Sequence, residues 1–373
     1  MDEWKKVKLG DICQTNLETY SLSEKWDFVN YLDTGSLTKN VVSEYQEIDL
    51  QNDKLPSRAR RKISVNDILY STVRPNQEHY GIVKEVVPNM LVSTGFTVIS
   101  VNQELVDSDF IYYCLTQREV IEHLQAIGEQ STSAYPSIKP TDIENLELFL
   151  PSLNEQREIA SVLRVLDDKI ENNRKINHHL EEMATSIFEN MFPNVSSGKS
   201  TIGNYIIPKH GKNLLSKDAI VGKVPVVAGG LQPSTFHNIA NTKSPVLTIS
   251  ASGANAGYVN LWHIPVWSSD SSYIDTSITD NVYFWYVMLK KRQQEIYDSQ
   301  TGSAQPHIYP KHIEIMPTID LSEDKVSRFT KQVTPLFESI GNNIKEIGEL
   351  QTLRDTLLPK LLSGKISVNQ ASK

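Results

Sequence analysis

The stretch NEQREIASVLRVLDDKIENNRKINHHLEEMATSIFENMF, from Asn154 to Phe192, has a second version 170 positions later, DKVSRFTKQVTPLFESIGNNIKEIGELQTLRDTLLPKLL, from Asp324 to Leu362. In the first, Ile159, Leu166, Asn173, Leu180 and Ile187 recur every seven residues, with Val162, Ile176 and Met183 between them. In the second, Phe329, Leu336, Asn343, Leu350 and Leu357 hold the same position, flanked by Val333, Ile340, Ile347 and Leu361. A seven-residue apolar recurrence marks a helix that lies along a partner helix. Both stripes carry an asparagine at one shared register, Asn173 and Asn343, and a polar residue in an apolar seam costs stability while fixing which helix pairs with which. The expected pairing set is Leu166, Ile170, Asn173 and Leu180 with Leu336, Ile340, Asn343 and Leu350. At 1.5 Å per residue each helix would be roughly 50 to 60 Å long, suited to a spacer more than to a compact core.

Outward from the helices, the duplication continues. Gln130, Ser133, Ala134, Pro136, Ile138, Pro140, Ile143 and Glu144 recur as Gln300, Ser303, Ala304, Pro306, Ile308, Pro310, Ile313 and Glu314. Leu9-Gly10-Asp11 likewise resembles Ile202-Gly203-Asn204. The chain is thus an internal repeat, each copy a mixed globular domain followed by a long helix. In the first copy Asp67–Val73, Gly81–Val86 and Phe96–Val101 read as strands, and Asp107 as the cap of a helix through Ile111, Leu115, Ile121 and Leu124 that stops near Gly128. In the second, Pro245–Ser250 is the counterpart strand and Asp280 the cap of a helix through Phe284, Val287 and Ile296. The strand-rich parts between the matched stretches differ in length and sequence, so the copies keep one frame and vary the face.

The expected fold is α+β: two mixed α/β domains related by a pseudo-two-fold and joined by two long antiparallel spacer helices forming a coiled coil. Its parts are a first domain at 1–152, a helix at 153–193, a second domain at 194–321, a helix at 322–366 and a flexible tail at 367–373. Two similar surfaces held apart by helices suit the reading of two separated stretches of one linear polymer, and duplex DNA is the natural candidate.

Composition sets bounds on this reading. A chain of 373 residues with 39% hydrophobic and 22% charged residues has room for two cores. The two cysteines, Cys13 and Cys114, stand far apart without metal-ligand spacing, which argues for a cytosolic protein without disulfides or zinc. No basic-apolar leader or membrane-length apolar run occurs in these residues. The net charge of -8 is unevenly spread. Residues 1–150 hold 14 Lys and Arg against 23 Asp and Glu, and residues 196–320 hold 10 against 8. Such a chain neutralises few phosphates alone, so partner subunits are expected to supply part of that sequence-independent attraction.

The run Leu150-Pro-Ser-Leu-Asn-Glu-Gln-Arg-Glu-Ile-Ala to Lys169-Ile170, with the C-terminal Leu353-Arg-Asp-Thr-Leu-Leu-Pro-Lys-Leu-Leu-Ser-Gly-Lys-Ile366, resembles the two conserved helical regions of the specificity subunits of type I restriction-modification systems. The order of domain, helix, domain and helix is similar too. The resemblance implies a non-catalytic, cytoplasmic subunit of a type I restriction enzyme and adenine-specific DNA methyltransferase complex. Each domain would read one half of a bipartite asymmetric target in double-stranded DNA, while the helices fix the gap and dock two methyltransferase subunits. Restriction and translocase subunits would join through those. No cofactor is expected in this chain; S-adenosylmethionine, ATP and Mg would sit on the partners. The second helix departs from the first at its entry, with Lys325-Val326-Ser327 where Glu155-Gln156-Arg157 stands.

The alternative, a duplicated scaffold with no DNA partner or a stand-alone modification enzyme, would require a cofactor motif or catalytic carboxylates. Gly198-Lys199-Ser200-Thr201 imitates the end of a phosphate loop, yet the required glycine at 193 is Pro193, so a linker is the simpler reading. Gly253 and Gly257 fit a turn between strands. His178-His179 reads as a solvated helix face. No HExxH frame or methylation motif is present.

Base edges and phosphates are contacted through Arg, Lys, Asn, Gln, Ser, Thr and His side chains. The candidates in the first domain are Arg58, Arg60 and Arg61, which head its densest basic cluster, then Arg74, Asn76, Gln77, His79 and Tyr80 on a turn, and Tyr135 in the repeated loop. In the second they are Lys209, His210, Lys212 and Asn213, the turn at Ser252 and Asn255, and Gln305 and His307, the last paired by position with Ser137. The five tryptophans read as core.

Overall fold

The computed structural model describes residues 4–132, 134–302 and 305–371; the matched loop positions Ser133, Ser303 and Ala304, and the last two residues of the tail, lie outside the described residues. Strand β1 (Lys5–Lys8) precedes a single 3-10 turn, then β2 (Cys13–Thr15), β3 (Phe28–Leu32), the ribbon β4 (Leu37–Thr38) and β5 (Val41–Val42), β6 (Gln46–Asp49) and β7 (Ala59–Arg61). Next come β8 (Ile68–Ser71), β9 (Tyr80–Ile82), β10 (Met90–Ser93) and β11 (Phe96–Val101), helices α1 (Ser108–Leu115), α2 (Arg118–Glu129) and α3 (Pro140–Glu144), β12 (Glu147–Leu150) and the long α4 (Leu153–Met191). The second half holds β13 (Ser200–Thr201), β14 (Lys209–His210), β15 (Val224–Val227), β16 (Thr235–His237), β17 (Val246–Ser250), β18 (Val259–Trp262), β19 (Trp267–Ser268) and β20 (Ser271–Asp275). It ends with α5 (Val282–Lys291), α6 (Gln293–Asp298), α7 (Pro310–Glu314), β21 (Pro317–Thr318), the long α8 (Glu323–Leu362) and α9 (Val368–Ala371).

The compact units do not follow the linear division into domain and helix. Unit 1 comprises Met1–Lys169 with Glu349–Lys373, and unit 2 comprises Ile170–Gly348, so each takes part of α4 and part of α8. Both units follow one topology. In unit 1 a sheet of order β2-β11-β8-β9 lies with a second of order β6-β3-β10-β7; in unit 2 the orders are β14-β20-β17-β18 and β16-β15-β19. The parallel pair β3 with β10 has its counterpart in β15 with β19, and the neighbouring pairs are antiparallel. Among the described residues unit 2 has no strand equivalent to β7, and the side-chain amide of Asn241 fills that edge, donating to the Ser268 carbonyl at 2.8 Å and accepting from its N–H at 2.7 Å. An amide side chain thus supplies the two bonds that a strand neighbour would, and an unpaired edge is closed.

The joints repeat as well. The Leu9 N–H donates to the Leu146 carbonyl and the Ile202 N–H to that of Met316. A Cβ on Gly10 would lie 3.2 Å from Glu144 Cβ, and one on Gly203 3.1 Å from Glu314 Cβ. Glycine recurs at both places because a helix backbone passes over it.

Two helical expectations need correction. The single helix through Ile111 and Leu124 is two, broken at Thr116 and Gln117, although Asp107 does cap the first by accepting from the Phe110 N–H at 3.0 Å. In the second copy Asn281, not Asp280, is the N-cap residue, and it makes no side-chain cap bond. The tail expected to be flexible from 367 forms the turn α9, with Val368 and Ala371 packed on the unit 1 core.

Within each unit the two long helices run antiparallel. Arg354 Nη1 reaches Asp167 Oδ1 at 2.7 Å in unit 1; in unit 2 Asn173 Nδ2 donates to Glu346 Oε2 at 2.7 Å and Asn343 Nδ2 to Asn177 Oδ1 at 2.8 Å. The buried seam of α4 alternates by four and three: Ile159, Leu163, Leu166, Ile170, Asn173, Asn177, Leu180, Ala184, Ile187 and Met191. Ile176 and Met183, placed on the stripe by sequence, are instead 47% and 53% exposed, because the true interleaved series stands one residue later. In α8, Pro335 lies exposed within the helix, where it removes one backbone hydrogen bond.

The units close this pairing by different chemistry at matched places. In unit 1 Tyr113 donates to Asp167 Oδ2 at 2.7 Å, completing a network with Arg354 and Asp355. Burial works against the Arg354 charge, but the hydrogen bonds and charges of Asp167 and Asp355 hold its pKa above the usual value. In unit 2 the residues at the same repeat positions are Tyr283 and Phe337, whose rings stack at 4.7 Å. A further cluster of Phe188, Phe192, Phe284 and Phe329, with centroids 5.0 to 6.0 Å apart, fills that core, each aromatic pair adding about 0.5 to 1.5 kcal/mol beyond area burial. Among the described residues no helix is long and apolar enough to cross a membrane.

Candidate nucleic-acid interface

At one end of the main sheet in each unit a strand-to-strand turn meets the repeated loop. In unit 1 the turn spans 72–78, closed by the Ser71 N–H donating to the His79 carbonyl; in unit 2 it spans 251–257, closed by Ser250 N–H to the Tyr258 carbonyl. The loop contacts match bond for bond. Arg74 N–H donates to the Pro136 carbonyl and Gly253 N–H to that of Pro306; Ile138 N–H donates to the Thr72 carbonyl and Ile308 N–H to that of Ala251. The bridges Val73 with Ser137 and Ser252 with His307 complete the match. The pairing of His307 with Ser137, read from sequence alone, thus has a structural counterpart.

The same backbone carries different side chains. The turn needs two left-handed residues, which are Gly253 (φ 84) and Gly257 (φ 89) in unit 2 but Arg74 (φ 48) and Glu78 (φ 57) in unit 1. A side chain in that region costs roughly 1 to 2 kcal/mol, and such residues concentrate at functional sites. Arg74 is held with its guanidinium 4.4 Å from the ring centroid of Tyr135, which is 55% exposed. The ring face orients the charge without neutralising it. Asn76 and Gln77 are exposed on the same turn, with the Asn76 N–H tied to Gln125 Oε1 at 3.2 Å.

Other candidates fall elsewhere. Tyr80 is 6% exposed and stacks on Tyr70 at 5.8 Å, so it belongs to the core and is withdrawn as a contact residue; its place at the head of β9 turns the ring inward. His79 Nδ1 lies 2.7 Å from the Leu37 carbonyl and 3.0 Å from Thr38 Oγ1, which ties the β4–β5 ribbon to the turn. The basic cluster disperses along β7. Arg58 is exposed, Arg60 and Arg61 are half-buried on alternate faces, and Lys62 pairs with Glu24 at 2.5 Å while lying over Trp26. Burial lowers the Arg61 pKa, and buried nitrogens of Arg60 and Arg61 make no hydrogen bond among the described residues.

In unit 2, Lys209 and His210 are exposed on β14, and Lys212 and Asn213 follow where that strand leaves the sheet, beside Ser268–Ser271. The Lys212 carbonyl accepts from Trp267 Nε1 at 2.8 Å, and Lys212 is exposed. Ser252 and Asn255 are half-buried on the turn, Gln305 is exposed, and the His307 ring stacks on Tyr309 at 5.9 Å. Sequence reasoning missed Asp270, whose Oδ2 accepts from the Ser252 hydroxyl. Its signal lay in the repeat: the Ala251 N–H donates to the Asp270 carbonyl as the Thr72 N–H does to that of Gly95, but the strands around these positions do not align by identity.

The chain matches the family model described as "Type I restriction modification DNA specificity domain" over residues 1–182. It is 30% identical over 253 residues to the type I restriction enzyme HindI specificity subunit of Haemophilus influenzae, covering 65% of this chain and 53% of that one, so the match spans about half of that relative. It is 25% identical over 411 aligned positions to the MjaIX specificity subunit of Methanocaldococcus jannaschii, covering 98% of this chain and 94% of that one. Among solved structures it resembles the type I restriction-modification S subunit from M. genitalium, with TM-score 0.58, 20% identity and 96% of each chain covered, a likeness of fold. The doubled frame, its twice-built turn-and-loop end and these relatives agree, and the chain is similar to type I restriction-modification specificity subunits.

Proposed function

We propose that the chain reads double-stranded DNA for a type I restriction-modification complex, unit 1 taking one half of a bipartite asymmetric target and unit 2 the other. The observation that carries this is the turn-and-loop end, built twice on the same backbone bonds with different side chains: a constant frame suits docking and a varied face suits choosing bases. In unit 1 the reading groups are Arg74, Asn76, Gln77 and Tyr135, with Arg58 and the half-buried Arg60 and Arg61 on the neighbouring sheet. In unit 2 they are Lys209, His210, Lys212, Asn213, Ser252, Asn255, Gln305 and His307.

The long helices set the gap between the two half-sites and dock two methyltransferase subunits, with restriction and translocase subunits joining through those. Val165, Ile176 and Met183 on α4, and Ile344 and Leu353 on α8, are 46 to 61% exposed, apolar surface that a docked helix or sheet would cover. Chemistry resides on the partners, which hold S-adenosylmethionine, ATP and Mg. A cytoplasmic location follows from that role.

Co-expression with a type I methyltransferase subunit in a methylation-free host, followed by single-molecule methylation sequencing, tests the proposal. A recurrent split motif with fixed spacing supports it. Methylation at scattered sites, or at a motif unchanged when this chain is left out, refutes it.

A further inference from the structure

The matched ends of the two units also differ in the side chain that precedes β11 and β20. In unit 1 the position before β11 is Gly95, where an added Cβ would lie 2.9 Å from Thr34 Cγ2 on the facing loop. In unit 2 the equivalent position is Asp270 and the facing loop carries Gly229, where an added Cβ would lie 2.4 Å from the Ser252 carbonyl oxygen and 3.6 Å from Asp270 Oδ2. Unit 2 thus carries a carboxylate where unit 1 has no side chain.

That carboxylate is set in place. Its Oδ2 accepts from the Ser252 hydroxyl, its own carbonyl accepts from the Ala251 N–H at 3.1 Å, and the preceding Ser269 N–H donates to the Val227 carbonyl at 2.8 Å. Among the described residues no Lys, Arg or His forms an ion pair with it, and its Oδ1 has no hydrogen-bond partner. A carboxylate on a surface that meets phosphates is repelled by them, so its presence is useful there only against a donor. On the base edges in the major groove the donors are the exocyclic amino groups of cytosine and adenine, and Asp is a residue that accepts from cytosine N4.

We infer that Asp270 is a specificity-determining residue of unit 2, accepting a hydrogen bond from the exocyclic amino group of one base, while unit 1 at its own turn presents the donor Arg74. The inference rests on the reading of unit 2 as a DNA reader. It makes the two half-sites differ in kind: acceptor edges selected by unit 1, an amino group selected by unit 2.

The test is methylation sequencing of the complex with wild-type chain, Asp270→Ala, Asp270→Asn and Ser252→Ala. In the Asp270→Ala complex, discrimination at one base position of one half-site falls by roughly tenfold or more, and the other half-site is unchanged. Asp270→Asn, which keeps an acceptor of the same shape, loses less at that position, and Ser252→Ala, which frees the carboxylate and removes the hydroxyl beside it, relaxes the same half-site. A wild-type motif retained unaltered in Asp270→Ala, or relaxed equally in both halves, overturns the inference while the DNA-reading role stands. A wild-type complex with no split motif removes that role itself. The wild-type base pair at the relaxed position decides between the two donors: a G·C pair assigns cytosine N4 and an A·T pair adenine N6.

Discussion

Arg74 is where backbone strain and chemistry meet in one residue. Replacing it by glycine or alanine removes the same guanidinium, so any difference between the two reports the backbone. Because φ is 48°, Arg74→Gly is expected to be more stable than Arg74→Ala by about 1 kcal/mol in chemical denaturation, against the usual order in which glycine is the less stable. Both should relax selection in the unit 1 half-site only. Alanine equal to or above glycine would show that the turn is unstrained.

His263 offers a second test at this scale. Burial pushes its pKa down to about 4, and its ring packs where a Cβ on Gly341 would stand 2.9 Å away. The folded value lies below the unfolded one of about 6.5, so the unfolded chain binds more protons between them and stability is lost as pH falls from about 6.5 toward 4. The loss is of order 1 to 3 kcal/mol, and in His263→Asn the slope of unfolding free energy against pH should flatten in that window. The candidate turn was partly legible in the sequence. The polar run Arg74 to His79 marks a turn, and a turn with Asn76 and Gln77 exposed it is, but nothing in the letters tells that the next residue, Tyr80, points inward. Asp270 was missed because its meaning comes from a partner, Ser252, that lies 18 positions away.

At the scale of elements, heptad spacing gave the two long helices and the register of α8. It misplaced the second row of α4, because the row that truly interleaves contains Asn177 and Ala184, a polar and a small residue, while the row beside it offers Ile176 and Met183. Counting apolar letters favours the wrong row. Asparagine in the seam also proves asymmetric in its bonding, Asn173 with Glu346 and Asn343 with Asn177. Asn173→Leu alone removes the donor to a carboxylate and should cost about 1 to 3 kcal/mol. Asn173→Leu with Glu346→Leu should recover that loss or exceed it. A stabilising single substitution, read by chemical denaturation, would show that the Glu346 contact contributes nothing.

The entry of the helices diverged for a reason that the structure makes plain. Gln156 is buried and joins two segments, accepting from the Asp107 N–H at 3.0 Å and donating to the Pro151 carbonyl at 3.0 Å. At the matched place Val326 is buried in the unit 2 core. A polar tie in one copy is an apolar contact in the other. Gln156→Val should therefore cost unit 1 about 1 to 3 kcal/mol by leaving the Asp107 N–H and Pro151 carbonyl unpaired, and an unchanged denaturation midpoint would count against the tie.

At the scale of the whole molecule, the duplication was legible because loop residues that hold shape, such as Pro136 and Pro306, were kept in both copies. The sheets were legible only in part. Their strands align by topology and hydrogen bonds, and the face between them has changed too far for identity to follow. Two readers on one frame should be separable in function, and exchanging residues 1–150 for the corresponding segment of another specificity subunit tests this most directly, read by methylation sequencing of the complex. One half of the methylated target should change and the other remain base for base. If both halves change, or neither does, the two units do not read the target independently and the account is wrong.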